Sequence, residues 1–168
     1  MTNTVIGMQL NEVVSRLQTY APLSLAATWD NVGLLVEPSA PLQVSNLLLT
    51  NDLTQEVMEE ALKVKANMII AYHPPIFQPI KRLTQKTWKE RLIVMCMENR
   101  IAVYSPHTTY DALCYGINDW LIAPFGITSV EFLKECNKCR CFTIESILST
   151  AQSQWSKPEY CLCTSREP

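Results

Sequence analysis

Three short apolar runs, separated by segments of helical length, place the strongest constraint on how this chain can fold. Each run has the length of one buried strand, and each is followed by a polar residue. Strands that alternate with helices are joined by right-handed crossovers, which produce a mostly parallel sheet with helices on both faces. We therefore predict an α/β fold. The runs are residues 46–50, 68–72 and 101–105, and they are followed by Asp52, His73 and His107.

Apolar residues at helical spacing predict four helices, and prolines or polar turns mark their ends. Thr54 is expected to cap the second helix, and Trp88 and Leu92 are among the apolar positions of the third. A turn-rich segment leads into a further short strand at residues 34–36. The predicted helices are residues 10–20, 56–65, 87–99 and 110–122.

The composition is that of a globular protein with a sizeable core. Of the 168 residues, 48% are hydrophobic and 18% are charged. A net charge of −2 argues against direct nucleic-acid binding, which usually requires a basic stripe. No apolar run approaches the roughly 18 residues that a membrane span needs. The first residues lack the basic start and apolar core of a secretory signal. We therefore expect a soluble intracellular protein with no membrane contact, located in the cytoplasm, with the nucleus as a second expected location.

The texture of the sequence changes after Gly126, so we predict an α/β domain over residues 1–126 and a divergent tail over residues 127–168. The tail is rich in Cys, Ser and Thr and is expected to be partly disordered. Two interpretations of its cysteines are open: a zinc site, or reduced thiols without a metal role. The second is favoured because one pair is spaced more tightly than zinc ligands usually are. These cysteines are Cys136, Cys139, Cys141, Cys161 and Cys163.

Polar residues after the three central strands predict a functional site. In an open parallel sheet, ligands bind outside the carboxyl ends of the strands. Asp52, His73 and His107 are therefore expected to lie close together. Asp111 is four residues after His107, and the two would share one helix face if the helix began near Pro106. Imidazole and carboxylate ligands suit Zn, Mn or Fe.

A purely structural interpretation of the same residues is also open. Both histidines could simply end a strand, and Asp111 could favour a helix N-terminus. Asp52 is expected to be a turn or cap residue more often than a functional one. Asn118 and Asp119 are predicted to be surface or packing residues of the last helix.

Four ordered motifs carry a resemblance to a known family. The segment from Met8 to Gly126 resembles the N-terminal half of the Nif-three-like family (NGG-one-interacting factor three), and most of all its animal members. Some members carry the name GTP cyclohydrolase type two. The motifs are Trp-Asp-Asn-Val-Gly-Leu at residues 29–34, Asn-Asp-Leu-Thr at 51–54, Tyr-His-Pro-Pro-Ile-Phe at 72–77, and Tyr-Ser-Pro-His-Thr at 104–108 with Asp111, Gly116 and Asn118.

The resemblance implies a dinuclear metal centre in a toroidal homo-oligomer. His73 and Asp111 correspond to family ligands, and His107 is a neighbouring residue that could supply a third. Where the family usually has a second imidazole, this chain has Tyr72, and a neutral phenol is a poor ligand. The family completes its centre with a late His and Glu, and no histidine follows His107 here. We therefore expect a partial site that binds at most one divalent metal.

Two functions follow from these expectations. The first is a metal-binding protein-interaction or regulatory factor that is related to transcription. It is expected to be a truncated form, and no catalytic residue is assigned to it. The alternative is a metal-dependent hydrolase of the GTP cyclohydrolase type two kind, acting on a nucleotide-like substrate. The missing ligands favour the first, and the half-site favours the second.

Overall fold

The computed structural model describes residues 7–113 and 115–125. The described residues divide into two units, the first up to His107 and the second from Thr108 onwards. The predicted tail, with its five cysteines, lies outside the described residues, as does Cys114. Within these two ranges, no helix is long and apolar enough to cross a membrane.

The strands of the first unit form one four-stranded sheet and one short antiparallel pair. They are β1 (Met8–Gln9), β2 (Gly33–Val36), β3 (Gln43–Val44), β4 (Leu47–Thr50), β5 (Met68–Ala71) and β6 (Ala102–Ser105). The larger sheet has the order β2-β6-β5-β4, and β1 pairs with β3. Strands β4, β5 and β6 are parallel, whereas β2 runs antiparallel to β6. The predicted mostly parallel α/β fold is confirmed.

Two helices of the first unit begin at threonine caps, of which the sequence predicts the one at Thr54. The first unit contains α1 (Leu10–Tyr20), α2 (Gln55–Lys63) and α3 (Trp88–Glu98), with a 3-10 turn at Leu23–Leu25. Thr54 Oγ1 accepts a hydrogen bond from Val57 N at 3.3 Å, and Thr87 Oγ1 accepts one from Glu90 N at 3.2 Å. Each cap satisfies one of the N–H groups that a helix start leaves without an internal partner.

Successive residues of β5 face opposite cores, which places helices on both sides of the sheet. Ile69 and Ala71 pack in a cluster with residues of α2 and α3, whereas Met68 packs in a cluster with Leu10 of α1. Alternation of side chains along a strand produces this division. Burial raises the pKa of the Cys96 thiol, in the first cluster, to about 12, so this thiol stays protonated and unreactive at neutral pH.

Two expectations about burial are wrong. The run at β4 was expected to be buried, but β4 is an edge strand, and Leu47 and Leu49 are 42% and 71% exposed. Helix α1 packs in a cluster with residues of β2, β5 and β6, so this face of β4 is left open. Trp88 is 50% exposed, because the inward face of α3 is formed by residues one turn further along the helix.

The second unit also differs from the sequence prediction. Instead of one helix over residues 110–122, it contains α4 (Thr108–Asp111) and α5 (Ile117–Ile122), followed by a 3-10 turn at Ala123–Phe125. Gly116 lies between the two helices, and an added Cβ there would lie 2.6 Å from Tyr110 O. This close approach requires glycine, and the chain turns at this point instead of continuing as a helix.

Matched methionines in α2 and α3 test where the core lies. We expect Met58→Ala to lower the free energy of unfolding by about 2–5 kcal/mol, because a fully buried side chain would leave a cavity. Met97 is 44% exposed, and Met97→Ala should change stability by less than about 0.5 kcal/mol. Urea unfolding followed by circular dichroism measures both. Equal losses would contradict this assignment of the core.

Candidate functional site

The exposed half of the site is a pair formed by His73 and Asp52. His73 Nδ1 lies 2.9 Å from Asp52 Oδ1, and the two side chains are 51% and 66% exposed. Backbone hydrogen bonds continue beyond the paired strands β4 and β5 and position this pair. Tyr72 N donates to Thr50 O, and His73 N donates to Asn51 O, both at 2.9 Å. The predicted proximity of Asp52 and His73 is therefore confirmed.

The buried half of the site pairs His107 with Asp30, a residue that the sequence prediction missed. His107 Nδ1 lies 2.8 Å from Asp30 Oδ1, and the two side chains are 17% and 0% exposed. Antiparallel pairing of Gly33 with Ser105 brings the loop before β2 to the end of β6. This pairing brings together residues that are 77 positions apart in the sequence, and Asp30 lies within the motif that carried the family resemblance.

A second contact holds the Asp30 loop against the segment after β5. Asn31 Nδ2 donates to Ile76 O at 2.6 Å. The ring centroid of Trp29 lies 6.1 Å from that of Phe77 and 6.1 Å from that of His107, both in edge-to-face geometry. Aromatic pairs of this geometry contribute about 0.5–1.5 kcal/mol each beyond the area that they bury. The loop is therefore held both by a hydrogen bond and by its rings.

The two imidazoles lie next to each other beside one phenol ring. The ring centroids of His73 and His107 are 5.6 Å apart. The Tyr72 centroid lies 5.0 Å from that of His73 and 5.6 Å from that of His107. Ser105 Oγ donates to Tyr72 O at 2.8 Å, which ties the end of β6 to the end of β5.

His107 has a strained backbone. Its φ is 34°, in the left-handed region that residues with a side chain rarely adopt. Such a conformation costs on the order of 1–3 kcal/mol and persists only where surrounding contacts hold it, as the Asp30 bond does here. His107 therefore precedes α4 instead of belonging to it, so the condition under which His107 and Asp111 would share one helix face is not met.

Both carboxylates orient a histidine in the same way. An ionised carboxylate only accepts hydrogen bonds, so each Nδ1 donates its proton to the neighbouring Asp. The lone pair then lies on Nε2, which is the nitrogen that can bind a metal or accept a proton. Within residues 7–113 and 115–125, no group of three or more His, Cys, Asp or Glu side chains is arranged to hold a metal ion.

Asp111 lies in the second unit, in α4. Its backbone oxygen accepts a hydrogen bond from Asn118 Nδ2 at 2.9 Å. Asn118 is buried, as expected of a packing residue, which was one of the two roles predicted for it. Asp119 accepts a hydrogen bond from Tyr115 N. The assignment of Asp111 as a metal ligand stays a prediction.

A sequence profile of the Duf34/NIF3 (NGG1p interacting factor 3) family matches residues 8–159. The chain belongs to this family. The expected resemblance is confirmed, and the match continues past Gly126, where the predicted family segment ends. Among curated NIF3 relatives, NIF3-like protein 1 of Bos taurus is 59% identical over 120 residues, which cover 71% of this chain and 32% of the relative.

More distant NIF3 relatives agree with the fold. A GTP cyclohydrolase 1 type 2 homolog of Clostridium perfringens is 34% identical, over 71% of this chain and 45% of that protein. The crystal structure of a Bacillus cereus protein related to NIF3 superposes with a TM-score of 0.69 at 33% identity, covering 78% of this chain and 36% of that one. Reduced HcgD from Methanocaldococcus jannaschii superposes with a TM-score of 0.70 at 27% identity, covering 86% of this chain and 59% of that one. The chain thus spans about a third of the length of its mammalian relatives.

The two aspartates should differ in their contribution to stability. We expect Asp30→Ala to lower the free energy of unfolding by about 1.5–3 kcal/mol, since it removes a buried, charge-assisted hydrogen bond of His107. Asp52→Ala should cost less than about 1 kcal/mol, because that pair is exposed. Thermal and urea unfolding of the two variants provide the comparison. A larger loss from Asp52→Ala would refute the assigned burial.

Proposed function

We propose that this NIF3-family chain binds one divalent metal ion through Nε2 of His73 and Nε2 of His107. The observation that supports the proposal is the shared arrangement of the two rings, each with Nδ1 against a carboxylate. Metal-binding histidines commonly have this second hydrogen bond, which fixes the ring and increases the basicity of the ligand nitrogen.

The donor set fits a metal of intermediate softness. Two imidazole nitrogens suit Zn or Fe, and an added carboxylate would also suit Mn, whereas the Tyr72 phenol is a poor ligand while it is neutral. When bound, such an ion supplies Lewis-acid polarisation of an oxygen ligand. Asp52 and Asp30 keep the two rings in the metal-binding tautomer. We expect weak binding because two protein nitrogens leave other positions to water, with Asp111 as the further ligand that the sequence predicts.

We propose for the metal-bearing chain a protein-interaction or regulatory role connected with transcription. The family description, which names an interacting factor, supports this role. A metal-dependent hydrolase is the second candidate, supported by the name of the Clostridium perfringens relative. Both candidates need the same pair of histidines, so metal binding is tested first and turnover second.

Metal titration tests the site. We expect at most one Zn²⁺, Mn²⁺ or Fe²⁺ per chain, with a Kd that rises about tenfold or more in His73→Ala and in His107→Ala. Asp111→Ala tests the predicted third ligand, and Glu59→Ala, on exposed helix surface, is the control. Calorimetry and elemental analysis after dialysis provide the measurements. Two tightly retained ions, or unchanged affinity in both histidine variants, would overturn the proposal.

A turnover assay separates the two candidate functions. The metal-loaded chain is incubated with GTP, and ring opening is followed by absorbance and chromatography. We expect no appreciable turnover. Metal-dependent conversion that disappears in both His73→Ala and Asp111→Ala would instead establish the hydrolase.

We also propose that the chain forms a homo-oligomer through the open edge of its sheet. Among the described residues, strand β4 has no neighbouring strand on one side, and its exposed Leu47 and Leu49 form an apolar strip. Unpaired strand edges with apolar side chains favour association. Leu49→Lys should shift the mass measured by light scattering towards the monomer, whereas Leu83→Lys, at a loop position 53% exposed, should not. A monodisperse monomer in the unmodified chain would refute this.

A further inference from the structure

Basic residues are concentrated in one segment of an otherwise slightly acidic chain. Residues 81–91 contain five of the 14 Lys and Arg residues and one acidic residue, in a chain with a net charge of −2. The segment connects the region after His73 to the first turn of α3. The local charge is therefore opposite in sign to that of the chain as a whole.

Three of these basic residues line a cavity. The cavity has a volume of about 510 Å³, within the range of small-molecule sites. One wall is the Pro-rich segment after His73, and the other is the start of α3. We call this cavity the basic cleft, and it is defined by its cations, Lys81, Arg82 and Lys89.

The basic cleft is adjacent to the metal-binding histidine. A smaller cavity of about 150 Å³ is lined by Asp52 and His73, and it shares Pro75 and Lys89 with the basic cleft. Lys89 thus belongs to both cavities, and its Nζ lies 5.5 Å from the centroid of the Trp88 ring. A ligand bound in the cleft could extend past Lys89 towards His73.

The cations of the cleft are free to meet an anion. In the part of the chain that the structure describes, none of Lys81, Arg82 and Lys89 belongs to a salt bridge. Glu90, the acidic residue of the segment, also lines the cleft, but its Oε2 is occupied because it accepts hydrogen bonds from Thr84 Oγ1 and from Thr84 N at 2.8 Å. These bonds hold the Glu90 carboxylate on Thr84.

We propose that Lys81, Arg82 and Lys89 bind the phosphate end of a small phosphorylated molecule, with the remainder of the ligand directed towards His73. This inference rests on the proposed function and names its ligand class. Three cations around one cavity favour a multiply charged anion over a single carboxylate. Arg adds a planar pair of donors that matches phosphate oxygens. The concave shape favours a small molecule over an extended polyanion.

Calorimetric titration with inorganic pyrophosphate tests the cleft. EDTA is present, so that no metal contributes. We expect a Kd below about 1 mM, raised at least about tenfold in the triple variant Lys81→Gln/Arg82→Gln/Lys89→Gln. Binding should also weaken as salt is added. The control is the double variant Lys63→Gln/Lys65→Gln. These two exposed lysines precede β5 and so lie at the opposite end of that strand from His73.

Each outcome decides the proposal. No pyrophosphate binding, equal loss in the control, or equally tight binding of a hexaglutamate peptide would overturn the phosphate assignment. Circular dichroism of the triple variant excludes misfolding as the cause of a loss, and the single variant Lys89→Gln should show a smaller loss of the same kind. Because EDTA removes metals, the pyrophosphate titration does not depend on the metal site. If pyrophosphate binds but no metal does, only the proposed metal site is refuted. If a metal binds but pyrophosphate does not, only the proposed phosphate site in the cleft is refuted.

Discussion

Parallel pairing of β4, β5 and β6 is the constraint on which the rest of the described structure depends. Leu47 pairs with Met68 and Met68 with Ala102, so the three strands end level with one another at Thr50, Ala71 and Ser105. Backbone N–H and C=O groups must be satisfied, and this ladder satisfies them while directing every following residue to the same edge. Asp52, His73 and His107 meet there as a consequence of strand register.

The two carboxylate–imidazole pairs at that edge have different physical characters. Asp52 and His73 are largely in solvent, where water screens their attraction and competes for their hydrogen bonds. Asp30 is fully buried against His107, so its bond is strong and its loss would leave a polar group unsatisfied. One ring is thus held rigidly and the other is able to adjust. This difference suits a site that must position one ligand atom while admitting another.

The position of β4 as the outermost strand of the described sheet explains why some of its apolar residues lie in solvent. Leu49 has the same side-chain direction as buried Met68 and Tyr104, yet β4 lies beyond the reach of α1. On the other face, α2 and α3 cover the sheet fully enough to bury Met58 and Cys96. Among the described residues, one helix packs on this face of the four-stranded sheet and two helices pack on the other, which produces the uneven cover.

Local patterns in the sequence determined the α/β class, the helix cap at Thr54 and the positions of the polar residues after each strand. Those features depend on local side-chain alternation, which each segment carries in itself. Strand order does not depend on this local alternation. The sequence therefore could not show that β4 is an edge strand or that Leu49 is exposed. Nor could it pair His107 with Asp30, since that contact joins residues 77 positions apart through the antiparallel approach of β2. Only tertiary packing decides which distant segments become neighbours, because many pairings satisfy the same local pattern.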